Sequence, residues 1–264
     1  MPVTADYVQK ALTAARQSPK VVYDTETDGL DWKRNKVVGY VLTVGPRPDE
    51  SFYLPVRNGG GANVADVDAV EAELADIAKD PNKLWVGHNM KFDMHMSANH
   101  GILFAGNVEC TQVNMALINE NSPSFSLDGC CTQARVQAKK GDALYAHLAK
   151  LFGGEPARSQ MANYHKLAGD DPTGVDYALG DGTSTWQLHG WQGPELDKQD
   201  LRLVWSVERR VLRTLFNMER HGVRIDLERL NWLEQEIDKR YKEAVRILPE
   251  DFNPRSPTQV RKWL

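Results

Sequence analysis

The 264-residue sequence predicts an α/β fold, and three features carry that prediction. Short β-branched runs occur at "KVVYD", "KVVGYVLTV" and "KLWVG". Apolar residues at helical spacing lie between and after these runs. The turn-rich stretch "GPRPDE" separates two strand-like runs, as in a hairpin. Together these periodicities describe helices packed on a sheet.

In chain order, residues 4–16 read as a short amphipathic helix. "KVVYD" follows as a buried strand. Residues 36–44 form a second strand and "SFYLPV" (51–56) a third, paired with it across the turn. "VADVDAVEAELADIAKD" (64–80) has apolar residues at helical steps. "KLWVG" (83–87) reads as a strand that feeds a helix starting near His88. "NVEC" is one more strand, with a helix after it over 111–119. Past residue 193 the texture changes. "GPELDKQDLRLVWSVERRVLRTLFNMERHG" is a long helical pattern, with Leu201, Val204, Val207, Val211, Leu215 and Met218 at three- and four-residue steps. "DLERLNWLEQEIDKRYKEAVRIL" is another. "SPTQ" opens a third, with Ser256 as N-cap, Pro257 in the first turn and Gln259 three residues on. Its apolar end at Trp263 and Leu264 is the expectation for a chain cut short.

Hydrophobic residues make up 41% and aromatics 8%, enough for a sizeable core and against global disorder. The net charge of −4 argues against a non-specific binder of polyanions. It leaves open an enzyme that meets phosphates through metal ions. Cys110, Cys130 and Cys131 form no CxxC pair and read as reduced thiols. No apolar stretch is long enough to span a bilayer, and the N-terminus lacks a basic-then-apolar signal pattern. A soluble, cytoplasmic protein is expected.

The chemistry-bearing residues are acids. "VVYDTETDGL" (21–30) ends an apolar strand in Asp24, Glu26 and Asp28. Side chains at i and i+2 share a strand face, so Asp24 and Glu26 point one way and Thr25 and Thr27 the other. Paired carboxylates suit hard cations such as Mg²⁺ or Mn²⁺. Alone, such a pair is also what a solvated strand end presents. "VGHNMKFDM" (86–94) sets Asn89 and Asp93 four apart, on one face if a helix starts near His88. "YALGDGTSTW" (177–186) does the same for Tyr177 and Asp181. Gly180 and Gly182 flank Asp181, and each costs a helix about 1 kcal/mol. A costly pair of this kind hints at close approach by backbone or ligand.

"DTETDGL", "GHNMKFD" and "YALGD" resemble, in order and spacing, the three motifs of the DEDDy class of 3′–5′ exonucleases. "LFNMERHGVRIDLERL" and "FNPRSPTQVRKWL" resemble, respectively, the segment joining exonuclease to polymerase and the start of the thumb in family A DNA polymerases, particularly those of bacteriophages. The resemblance implies a ribonuclease H-like fold, a mixed sheet with helices on both sides. It implies an exonuclease domain over 1–193 and a helical linker with the start of a truncated thumb over 194–264. Asp24, Glu26, Asp93 and Asp181 would bind two divalent ions, Mg²⁺ or Mn²⁺, that hydrolyse the phosphodiester. Tyr177, with Glu26, would orient the attacking water, because a phenol is a poor base at neutral pH. Leu30 would wedge against the terminal base, and Asn89 would lie near the substrate strand. Thr25, His88 and Lys91 complete the expected DNA-contacting set, with His88 also read as structural. Phe92 and Tyr164 are candidates for base stacking.

The implied activity is removal of nucleoside monophosphates from single-stranded or frayed 3′ ends, with selectivity coming from fraying. The palm and fingers of a polymerase are absent from the sequence, so no synthesis is expected from it alone. The polymerase domain is then expected in cis or in trans, and the apolar faces after residue 196 would need a partner or self-associate. Two rival readings share the motifs: a ribonuclease D-type exoribonuclease, and a non-catalytic module that binds DNA or a replication protein.

Overall fold

The computed structural model describes residues 3–137, 141–249 and 251–264. Strands β1 (Lys20–Thr27), β2 (Val37–Thr43), β3 (Ser51–Pro55), β4 (Leu84–Gly87) and β5 (Asn107–Cys110) form one sheet in the order β3-β2-β1-β4-β5. β1, β2 and β3 pair antiparallel, and β4 and β5 run parallel to β1. The expected hairpin is present. Its turn closes with a 3-10 segment at Pro48–Glu50, where the Arg47 amide donates to the Glu50 carboxylate at 3.0 Å.

Helices α1 (Ala5–Gln17), α2 (Val67–Ala78), α3 (Met90–Ala98) and α4 (Thr111–Ile118) alternate with the strands. Thr4 and Asp66 cap α1 and α2, each accepting from a backbone amide three residues on. Next come α5 (Leu127–Ala134), α6 (Gly141–Phe152) and a 3-10 stretch (Arg158–Lys166), none of which the sequence reading identified. α7 (Pro172–Lys198) and α8 (Arg202–His221) follow, then α9 (Leu227–Val245) and α10 (Pro257–Trp263).

The two faces of the sheet bury different partners. On one, Val21, Tyr23, Tyr40, Leu42 and Trp85 pack with Leu12 of α1 and Leu74 and Ile77 of α2. On the other, Val41 and Tyr53 pack with Ala178 of α7, which crosses β1 to β4. Asp24 pairs with Val41 in register, so it lies on the α7 face, and the two-residue period carries Glu26 there too.

The long helix expected after residue 193 is broken. α7 stops at Lys198, Asp200 takes a left-handed φ of 54°, and α8 restarts at Arg202. Arg202 bridges the break: it donates to the Asp197 carboxylate at 2.6 and 2.7 Å and to the Gly193 carbonyl at 2.9 Å. Apolar spacing continues through the break, which is why periodicity alone missed it.

Internal contacts divide the chain into Met1–Arg220 and His221–Leu264. The expected 193/194 division falls inside α7. In the second unit Asp226 caps α9, and Ser256 caps α10 as its sequence predicts. No helix among the described residues is long and apolar enough to cross a membrane. Cys110, Cys130 and Cys131 are buried free thiols.

Candidate metal centre

β1 delivers Asp24 and Glu26 at its end, just before the register shifts between Glu26 and Thr27. α7 delivers Asp181 to the same place. One carboxylate oxygen from each of the three lies within 4.8 Å of the others. Glu26 and Asp181 are buried and Asp24 is half-buried. α7 comes this near the sheet because of Gly182. A Cβ there would stand 2.9 Å from Val41 Cγ1 and closer still to Thr43 Oγ1. The costly glycine beside Asp181 is therefore explained by the close approach of helix backbone to β2.

Asp93 reaches β1 from the opposite face. One of its oxygens accepts from the Thr25 amide at 3.0 Å and from the Thr25 hydroxyl at 2.6 Å. It stands outside the three-acid group, and its partner Thr25 lies between Asp24 and Glu26 in the strand. Burial pushes the Asp93 carboxyl well above the usual range, Asp24's charge adds to that, and Thr25's donors oppose it. Thr25 therefore acts as the hinge pin between α3 and the acids of β1, a role its position in the sequence did not reveal.

Asn89 does not share a helix face with Asp93. It takes a left-handed φ of 60°, one residue before α3 begins, and its side chain is exposed. Tyr177 does lie one turn before Asp181 on α7, half-buried, with its ring centroid 6.1 Å from that of Tyr164. Tyr164 is only 2% exposed, so base stacking is closed to it as the fold stands. Phe92 packs on the main core. Leu30 is 85% exposed just past β1.

Two further residues are held by protein groups. His88 places Nδ1 2.9 Å from Thr111 Oγ1 and Nε2 3.0 Å from the Phe125 carbonyl. Lys91 is paired with Glu219 of α8. The same carboxylate lies 2.8 Å from His95 Nε2, and the His95 ring stacks on Trp32 at 4.2 Å and 12°. Burial lowers the pKa of His95 against the pull of Glu219. Lys91 and His95 flank Asp93 on α3, so this cluster anchors the helix that carries the fourth acid.

The sequence reading also missed Tyr53 as a neighbour of the acids. Burial, and then the charge of Glu26, push the Tyr53 and Tyr164 phenols upward and keep them neutral. Tyr53 reaches this position because Glu26 is paired across the sheet with Gly39, whose missing side chain leaves room for the ring.

The donor set is made of anionic oxygens that converge from two elements and are partly withdrawn from water. That fits a hard divalent cation, whose charge offsets the mutual repulsion of the carboxylates. Soft or imidazole ligands are absent from this three-acid group.

Comparisons with known proteins agree with this architecture. A family model described as 3′-5′ exonuclease matches residues 1–166. DNA polymerase DpoZ of Acinetobacter phage SH-Ab 15497 is 34% identical over 265 residues, covering 93% of this chain and 38% of that protein. The chain thus spans well under half the length of this relative. NrnC of Brucella melitensis superposes with a TM-score of 0.59 at 17% identity, over 79% of this chain and 88% of that one. The POL domain of Pol1 from M. smegmatis, in complex with DNA primer-template and dNTP, superposes with a TM-score of 0.65 at 19% identity, over 98% and 39%. The ribonuclease H-like fold expected from the motifs is thereby established. Strand-end acids, a helix brought close by glycine and a matching family model lead to one assignment: the chain belongs to the 3′–5′ exonuclease domain family of A-type DNA polymerases.

Proposed function

We propose that this chain is a DEDDy-class exonuclease that removes nucleoside monophosphates from single-stranded or frayed DNA 3′ ends, as the proofreading part of a family A DNA polymerase. The observation that carries this reading is the convergence of Asp24, Glu26 and Asp181, with Asp93 bonded to the residue between the first two. Asp24, Glu26 and Asp181 would hold one divalent ion, and Asp24 with Asp93 a second. When bound, the ions supply an activated water and neutralise the leaving 3′-oxygen.

The chain's own groups do the rest. Glu26 and Tyr177 face the attack side and hold the water in line. Exposed Leu30 and Asn89 meet the terminal nucleotide and its strand. Thr25, His88 and Lys91 act from behind, Thr25 by fixing Asp93 and the other two by holding α4 and α3. Nothing in this arrangement reads base identity, so frayed ends are preferred because they arrive unpaired. The polymerase domain is the natural partner, in cis or in trans.

The test is digestion of a 5′-labelled single-stranded DNA, beside an RNA of the same sequence, with Mg²⁺ or Mn²⁺. A chelator control and the Asp24→Ala variant accompany it. The expected result is a 3′-to-5′ ladder on DNA that needs both metal and Asp24. Preference for RNA would move the assignment to a ribonuclease D-type activity. No cleavage by folded, metal-supplied protein would leave a DNA- or replisome-binding module.

A further inference from the structure

We propose that Tyr164 and Tyr53, two buried residues outside the acidic motifs, are positioning residues that hold Tyr177 and Glu26 in line for hydrolysis. This rests on the exonuclease reading above.

Two hydroxyl bonds lie behind the acids. Asn58 Nδ2 donates to the Tyr53 hydroxyl at 3.3 Å. The Tyr164 hydroxyl donates to the Gly174 carbonyl at 3.1 Å. The first bond fixes the Tyr53 ring against the sheet, and the second reaches the first turn of α7, three residues before Tyr177. Tyr164 is 2% exposed and Tyr53 is 3% exposed, so water cannot replace either partner.

Each bonded tyrosine meets a proposed active residue. At α7, the Tyr164 ring packs 6.1 Å from that of Tyr177, and the Gly174 bond sets how far the helix turns. At the sheet, Glu26 lies opposite Gly39, and a Cβ at Gly39 would fall 2.5 Å from Tyr53 Cζ. The Tyr53 ring thus fills the place of a cross-strand side chain beside Glu26. Purely structural tyrosines would need none of this coupling to the first turn of α7. The Tyr164 hydroxyl makes the placement of Tyr177 depend on an oxygen that bulk packing does not require.

The experiment compares Tyr164→Phe and Tyr53→Phe, which remove one oxygen each and keep the rings. Steady-state hydrolysis of a single-stranded oligonucleotide is measured in the wild-type and the Tyr177→Phe backgrounds, with melting temperatures recorded for every variant. In the wild-type background, kcat should fall about 3- to 10-fold for either change, the equivalent of one ordinary hydrogen bond, with KM within about twofold. In the Tyr177→Phe background, Tyr164→Phe should cost less than about twofold more, because the group it positions is gone. An unchanged kcat would overturn the inference, as would an equal loss in both backgrounds or a rise in KM alone. If Tyr164→Phe fails to fold, Tyr53→Phe in the wild-type background decides: kcat should fall about 3- to 10-fold with KM within about twofold, and an unchanged kcat would overturn the inference. An active wild type with unaffected tyrosine variants removes this inference and leaves the exonuclease reading. A wild type without metal-dependent hydrolysis removes both.

Discussion

Replacing Gly182 by alanine tests how Asp181 is brought to the strand end. The new Cβ would lie 2.9 Å from Val41 Cγ1, 3.3 Å from Ser51 Oγ and nearer still to Thr43 Oγ1. Carbon atoms pack comfortably at about 3.5–4.0 Å, so α7 must retreat from β2 by roughly half an ångström to an ångström or more. The neighbours cannot easily yield, because the Thr43 and Ser51 hydroxyls are bonded to each other at 2.6 Å and both residues are buried. Overpacking of this kind costs about 1–3 kcal/mol, and the gain of alanine over glycine in a helix returns about 1 kcal/mol. Net destabilisation should be about 0–2 kcal/mol, with a fall in melting temperature of about 2–4 °C per kcal/mol. The catalytic effect should be larger, since a misplacement of about 1 Å can cost about 10²-fold. Gly190→Ala is the control. It lies on the same helix with no neighbour within 4 Å of an added Cβ, so it should gain about 1 kcal/mol and keep full activity. Thermal melting and single-stranded DNA hydrolysis measure both variants. A Gly182→Ala protein as stable as Gly190→Ala and fully active would refute the claim that close packing on β2 places the acid.

Thr25→Val removes the 2.6 Å hydroxyl bond to Asp93 and should cost about 1–3 kcal/mol together with most of the hydrolysis; unchanged kinetics would show that Asp93 is held by other means. Mg²⁺ or Mn²⁺ at about 100 times its dissociation constant should stabilise the protein by about 2.7 kcal/mol in a melting assay, and Asp24→Ala should abolish that rise. Glu71 on α2 supplies a pH test. Burial would raise its pKa, but hydrogen bonds from His100, Arg57 and Tyr40 outweigh that and hold it at about 2, below the ordinary 4.5. Its stabilisation is therefore present above about pH 4.5 and lost as the pH falls toward 2, and Glu71→Gln should flatten acid unfolding across that window.

Strand and helix periodicity determined a good part of this protein before any tertiary contact. Alternation in "VVYDTET" put Asp24 and Glu26 on one face and Thr25 on the other, and the four-residue step put Tyr177 above Asp181. The hairpin and the N-cap at Ser256 follow from equally local signals. Each of these depends on side-chain spacing along one element, which the order of residues contains in full. Where the elements meet was decided by the folded chain. Asp181 reaches β1 because Gly182 lets α7 settle against Thr43 and Val41, and Tyr53 reaches Glu26 because Gly39 leaves space across the sheet. Lys91 finds Glu219, Thr25 finds Asp93, and Asp200 interrupts a pattern that reads as helix throughout. Such pairings join residues far apart in sequence through shape and satisfied hydrogen bonds. They leave no periodic trace, so only the packed structure determines them.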